Sequence, residues 1–284
     1  MKTGLVLEGG AMRGLFTAGV TDVLMENEIT FNGLIGVSAG AAFGCNYKSG
    51  QIGRAVRYNT KYCSDPRYCS FRSLIKTGDL FGKEFCYRKL PDELDIFDKE
   101  AFNKNPMDFY VVCTDVITGK PVYKLIEKVD EDCYQWICAS ASMPLVSRIT
   151  EIDGLSLLDG GISDSVPLKF FENIGYDRNV VVLTQPKGYL KKKNSLMPLI
   201  GIIMKKYPGA VEAMKRRHEM YNSTLEYISE KEKSGKILVI RPEKSLEIRR
   251  IEKNPEKLTE VYNIGRKQAL QQLDKIKDFL STSK

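Results

Sequence analysis

Histidine is nearly absent from this chain: His218 stands alone among 284 residues. With a single imidazole, and no Cys-x-x-Cys pair among seven cysteines, a zinc ion has little to bind. The cysteines are odd in number and scattered from Cys45 to Cys138, which reads as free buried thiols in a reducing compartment. Long apolar runs are missing as well. No window approaches the ~18 residues needed to span a bilayer. The opening Met1-Lys2-Thr3-Gly4-Leu5-Val6-Leu7 is cut short by Glu8, too early for a signal peptide. The expectation is a cytoplasmic protein with no metal and no cofactor. There is no internal repeat and no low-complexity linker.

What is present is an ordinary globular composition, 43% hydrophobic and 28% charged, long enough for one large domain or a domain with an extension. Charge is uneven. Residues 187–284 carry 23 Lys and Arg against 12 Asp and Glu, while residues 1–186 carry 20 against 24. A basic C-terminal third suits nucleic acid, anionic lipid headgroups or simply solvated helix faces; we expect no nucleic acid. Short apolar runs at Leu5–Leu7, Phe31–Val37, Phe109–Cys113, Leu155–Leu158, Asn179–Leu183 and Lys236–Ile240 alternate with helical spacing. That alternation predicts βαβ units and a mainly parallel sheet covered on both faces. Pro255–Leu280 reads as a closing helix on the sheet. Two stretches fit less well. The aromatic segment from Tyr58 to Leu90 reads equally as an acyl-pocket wall or lid and as irregular core. Leu196–Met204, bracketed by lysines, reads as an interfacial insertion or a buried helix start.

Chemistry concentrates in three places. Gly36-Val37-Ser38-Ala39-Gly40 fits a nucleophile elbow, a strand-to-helix turn that presents a serine hydroxyl. Gly9-Gly10-Ala11-Met12-Arg13-Gly14, between a strand and a helix, offers backbone N–H groups and a nearby cation to a developing oxyanion. A nucleotide cradle is the competing reading, but the loop lacks both Gly-x-Gly-x-x-Gly spacing and a P-loop ending. Asp159-Gly160-Gly161 follows a strand, at the end where open α/β sheets gather their sites. Ser38, Asp159 and His218 come in α/β-hydrolase order. However, the elbow arrives after only two strands, and His218 lies in a charged helical run rather than on a loop. His218 is therefore disfavoured as the base.

Taken together, these motifs resemble the patatin-like phospholipase family of bacterial-type serine acyl hydrolases. The loop matches its Gly-Gly-x-Arg-Gly element with one extra residue before Arg13. Softer echoes lie at Thr114–Gly119, Ala139–Pro144 and Ser165–Pro167. The resemblance runs from about Gly4 to Leu183 and implies a three-layer α/β/α sandwich with a Ser-Asp dyad. It implies Ser38 as nucleophile, Asp159 as base and Gly9, Gly10, Ala11 and Arg13 at the oxyanion, with Gly14, Gly36, Gly40, Gly160 and Gly161 framing the motifs. The expected division is a catalytic core over 1–185 and a basic, mainly helical extension over 186–284 packed on it. The implied partner is a lipid ester; the basic C-terminal third and the lysine-bracketed run add the expectation of peripheral contact with an anionic membrane surface. A general esterase or thioesterase, and a non-catalytic lipid-binding protein on the same fold, are the alternatives. Headgroup, acyl position and oligomeric state are not legible.

Overall fold

The computed structural model describes residues 1–281. Strands β1 (Lys2–Leu7) and β2 (Gly33–Val37) are joined by α1 (Gly14–Glu26), and α2 (Ala39–Lys48) follows β2 after a single residue. Helices α3 (Arg54–Tyr62), α4 (Phe71–Thr77) and α5 (Lys99–Lys104) come next, with a π-helical stretch at Phe85–Leu94. β3 (Asp108–Asp115) and β4 (Pro121–Leu125) form a hairpin. Then come α6 (Glu131–Ser140), β5 (Thr150–Ile152), β6 (Leu155–Asp159), α7 (Leu168–Asn173) and β7 (Tyr176–Val182). The chain continues with α8 (Met197–Ile203), α9 (Pro208–Lys233), β8 (Ile237–Ile240), α10 (Pro255–Gln271) and α11 (Leu273–Ser281).

The strands make one sheet in the order β5-β6-β3-β2-β1-β7-β8, with β4 also paired to β3. From β3 across to β8 all pairings are parallel. Successive side chains of the central strands enter opposite cores. Leu5, Leu7, Leu34 and Val182 pack with α1, α2 and α10, whereas Val6, Ile35 and Val181 pack with Phe171 of α7 and Tyr221 and Ile228 of α9. Helices on both faces explain why these strands are apolar throughout. The expected three-layer α/β/α architecture is the observed one.

Two strands escaped the sequence reading. β4 is half-buried along its whole length and β5 has three residues, so neither shows a continuous apolar run or a clean alternation. The C-terminal helical segment also differs from expectation. It is two helices, and α10 lies on α1 rather than on the sheet. A Cβ on Gly19 would sit 2.1 Å from the Tyr262 carbonyl oxygen, and one on Gly265 would sit 2.0 Å from that of Phe16. The two helices therefore touch backbone to backbone, and the Tyr262 hydroxyl donates to Asp22 at 2.6 Å.

The register of β3 places the site. β2 runs beside it as far as Val37 opposite Val112, while β4 occupies the other edge from Tyr110 to Thr114. β6 pairs with Cys113–Asp115, so it must use the edge that β2 has vacated. β2 and β6 thus meet end to end. Ser38 leaves one strand where Asp159, opposite Cys113, ends the other.

Candidate active site

Ser38 is the turn between β2 and α2, with φ 55° and ψ −121°. A non-glycine residue with positive φ is strained, and the surrounding contacts hold it there. The Ser38 N–H donates to the Ser140 hydroxyl at 2.8 Å, which in turn donates to the Val112 carbonyl at 2.6 Å. Gly40 is required because a Cβ would lie 2.5 Å from the Leu7 carbonyl oxygen. Gly36 lies inside the same turn, against Ala41, and Gly14 packs on Ala39. The first loop presses directly on Ser38. A Cβ on Gly9 would be 3.0 Å from that of Ser38 and 2.9 Å from the Val37 carbonyl oxygen. Among the described residues, no group accepts from the N–H of Gly9, Gly10 or Ala11. The loop leads into α1, whose N-terminus carries positive partial charge.

Asp159 is buried, and its carboxylate accepts the Gly161 N–H at 2.8 Å. The Ser38 side chain lies close enough to the same carboxylate to stabilise its charge. Burial raises its pKa above the ordinary carboxylate value, opposed first by the Arg217 guanidinium and then by the Ser38 hydroxyl and the Gly161 N–H. Gly160 backs directly onto the Val112 carbonyl. Thr114 donates to the Asp159 carbonyl at 2.9 Å, and the Asp159 N–H donates to the Ser142 carbonyl at 2.8 Å. The softer sequence echoes at 114 and 139–144 thus include the residues that position Asp159 and Ser38.

A cavity of about 140 Å³ opens beside Ser38. Its walls include Met12, Phe43, Tyr58, Tyr68, Phe81 and Tyr87. The 58–90 segment packs in the core, where Tyr62 lies edge-on to Phe85 and Tyr68 to Phe81, and also lines the cavity. The ionic groups lining it are largely satisfied. Lys83 pairs with Asp79 at 3.4 Å, and Arg54 stacks over Tyr58 and Phe97.

His218 makes its contacts within its own helix. Its ring lies 3.1 Å from the Lys215 carbonyl oxygen and 3.6 Å from the Glu219 carboxylate. Its neighbour Arg217 is the residue that reaches the site, donating from Nε to the Gly161 carbonyl. One turn along α9, Tyr221 donates to the buried Glu8 at 2.6 Å, and Glu8 also receives the Thr184 N–H and hydroxyl. Arg13 turns towards the same Thr184 hydroxyl, 3.5 Å away. Lys191 rests 4.2 Å from the Tyr221 ring centre, its pKa pushed down to about 8 by burial and then by Arg217. Sequence reasoning missed Arg217, Glu8 and Tyr221. Only the i, i+4 spacing of Arg217 and Tyr221 on one helix face hinted at a shared role. Among the described residues no group of His, Cys, Asp and Glu is placed to hold a metal ion.

The mainly parallel sheet thus brings together a strained serine at the end of β2, a buried aspartate at the end of β6 and a glycine loop. The sequence model of patatin-like phospholipases matches residues 5–171, so the chain belongs to that family. A second model, a domain of unknown function (DUF6363), matches residues 207–281. The chain is 27% identical to the uncharacterized protein YjjU of Escherichia coli over 93% of its own length and 75% of that protein. It is 26% identical to an uncharacterized NTE family protein of Mycobacterium tuberculosis, Rv1063c, over 64% of its length and 48% of the relative's. It is 27% identical to lysophospholipase nte1 of Aspergillus oryzae over 62% of its length but only 11% of that protein. Among solved structures, VipD of Legionella pneumophila aligns over 96% of this chain and 67% of that one, at 14% identity and a TM-score of 0.48. Family membership places the chain with lipid hydrolases. No helix among the described residues is long and apolar enough to cross a membrane.

Proposed function

We propose that this protein is a serine acyl hydrolase that cleaves carboxylic esters of lipids through a Ser38–Asp159 dyad. The observation that carries the reading is the meeting of β2 and β6 on one edge of β3. It brings a strained serine to a buried carboxylate beside three N–H groups without acceptors. In the first step Ser38 Oγ bonds to the ester carbonyl carbon as its proton passes to Asp159. The carbonyl oxygen becomes an oxyanion received by the Gly9, Gly10 and Ala11 N–H groups, with Arg13 adding positive charge nearby. Collapse breaks the ester C–O bond, and the departing alkoxide takes the proton from Asp159. A water molecule then repeats the sequence on the acyl-enzyme and frees the fatty acid and Ser38.

An ordinary aspartate is a weak base for a hydroxyl, and burial narrows that mismatch by raising the Asp159 pKa. The apolar cavity beside Ser38 supports an acyl chain as the group it receives. In this reading residues 1–185 form the catalytic core, and the basic extension over 186–284 adds β8 to the sheet and Arg217 to the site. A fluorophosphonate probe should label Ser38, and Ser38→Ala should remove labelling and lower ester hydrolysis by at least about 10⁴-fold. Labelling of another serine, with full activity in the variant, overturns the proposal.

A further inference from the structure

α8 is apolar on both sides, yet only one side is covered. Ile200 and Met204 are buried in a cluster with Leu158 and Ile162, which flank Asp159 in sequence. On the other side Leu196, Leu199, Ile202 and Ile203 are 53%, 49%, 71% and 58% exposed. At 3.6 residues per turn these four share one arc of the helix. Ile117, also exposed, lies on the turn whose backbone touches Gly209 at the start of α9. Large apolar side chains gathered in this way mark an interaction surface rather than scattered exposure.

The surround identifies the partner. Residues 186–211 hold six lysines and no Asp or Glu. Lys187, Lys192, Lys193, Lys205 and Lys206 are exposed, and among the described residues none of the five forms an ion pair. A few residues further on the pattern changes, and Lys215 and Arg216 both pair with Glu212. An apolar ridge among unpaired cations complements a surface that is apolar within and anionic at its rim. A second copy of the chain on this face would set lysines against lysines.

We propose that the exposed face of α8 docks the protein on an anionic bilayer, with Leu196, Leu199, Ile202 and Ile203 in the headgroup–acyl boundary and the lysines on the headgroups. This surface goes beyond the hydrolase reading and needs neither Ser38 nor Asp159. Its position is informative all the same. Leu145 and Ile149 pack on the cluster beneath α8, and the same segment supplies Met143 and Ser147 to the cavity wall. Docking through α8 therefore sets that wall beside the lipid.

The test is sedimentation of the whole protein with vesicles of phosphatidylglycerol and phosphatidylcholine in equal parts, and of phosphatidylcholine alone. Binding to the mixed vesicles should be at least about tenfold tighter and should weaken as salt shortens the Debye length. Ile202→Ser with Ile203→Ser should lose about tenfold in affinity while keeping the charge, since two large side chains no longer enter the bilayer. Replacing Lys192, Lys193, Lys205 and Lys206 with Gln should lose a similar factor and flatten the salt dependence. Both variants should hydrolyse a soluble short-chain ester as the parent does and melt at the parent's temperature, because the altered side chains face solvent. Equal binding by parent and serine variant, or no binding by the parent, overturns the proposal. So does a parent dimer in light scattering that the serine variant abolishes while vesicles bind neither protein.

Discussion

Around Ser38 and Asp159 the chain packs backbone against backbone, whereas the C-terminal third reaches the same place through side chains. Gly9 lies against the Val37 carbonyl, Gly40 against Leu7 and Gly160 against Val112, each at a distance real Cβ atoms essentially never show. Arg217 instead extends from α9 to the Gly161 carbonyl, and Tyr221 from the same helix to Glu8. The difference teaches why one region carries motifs and the other does not. Close backbone approach forces glycine at fixed positions and leaves a pattern in the sequence. A long side chain reaching across a gap constrains only itself, and inside Lys215-Arg216-Arg217 it looks like any solvated cation.

The comparison breaks first at Asp159. Asp159→Asn should lower kcat/KM by about 10²–10⁴-fold, the usual worth of a general base, while His218→Ala leaves the rate nearly unchanged. The reverse result would move the base into the C-terminal region. Folding is checked in the same experiment. Because burial raises the Asp159 pKa, the stability tied to its proton is present in acid and lost as pH rises through that raised value. The neutral Asn avoids this loss. Asp159→Asn should therefore be at least as stable as the parent at pH 8, and its advantage should shrink towards acid in thermal melts.

Arg217 sharpens the contrast by testing whether the C-terminal region tunes the site. Asp159 must be ionised to accept the Ser38 proton, so activity rises with pH through its pKa. Arg217 opposes the rise in that pKa. Arg217→Met should then move the acid limb of the kcat/KM profile upward, and Arg217→Lys should recover part of the shift. An unmoved limb would reduce Arg217 to a brace for the Gly161 carbonyl.

Gly265 should affect activity least, and there, as at Gly209, the C-terminal region also uses backbone contact. Gly265→Val sets a side chain 2.0 Å from the Phe16 carbonyl oxygen, and forcing α10 away from α1 should cost roughly 1–3 kcal/mol. Thermal unfolding should show the loss, and activity per folded molecule should not change. An unshifted melting temperature would mean that α10 is held elsewhere.

The elements legible in the sequence were those repeated along the chain. Apolar runs marked β1, β2, β3, β6, β7 and β8, because a parallel strand buried on both faces must be apolar throughout. β4 and β5 carried no such mark. One is half-buried along its length and the other is three residues long. Ser38, Asp159 and the Gly9–Gly14 loop were legible as turns and glycines, while Ser140 was visible only as part of a softer echo.

By itself, then, the sequence determined the sheet, the elbow and the glycine loop, because each is set by local spacing and by residues that admit close backbone approach. It also determined that α8 is apolar, but not which of its sides would be covered. Only the tertiary structure decided that β2 and β6 share an edge of β3, that Arg217 rather than His218 turns to the Gly161 carbonyl next to Asp159, and that one face of α8 stays open beside its lysines. Each of those outcomes depends on pairings between residues far apart in the chain, and a pairing leaves no periodicity for either partner to display.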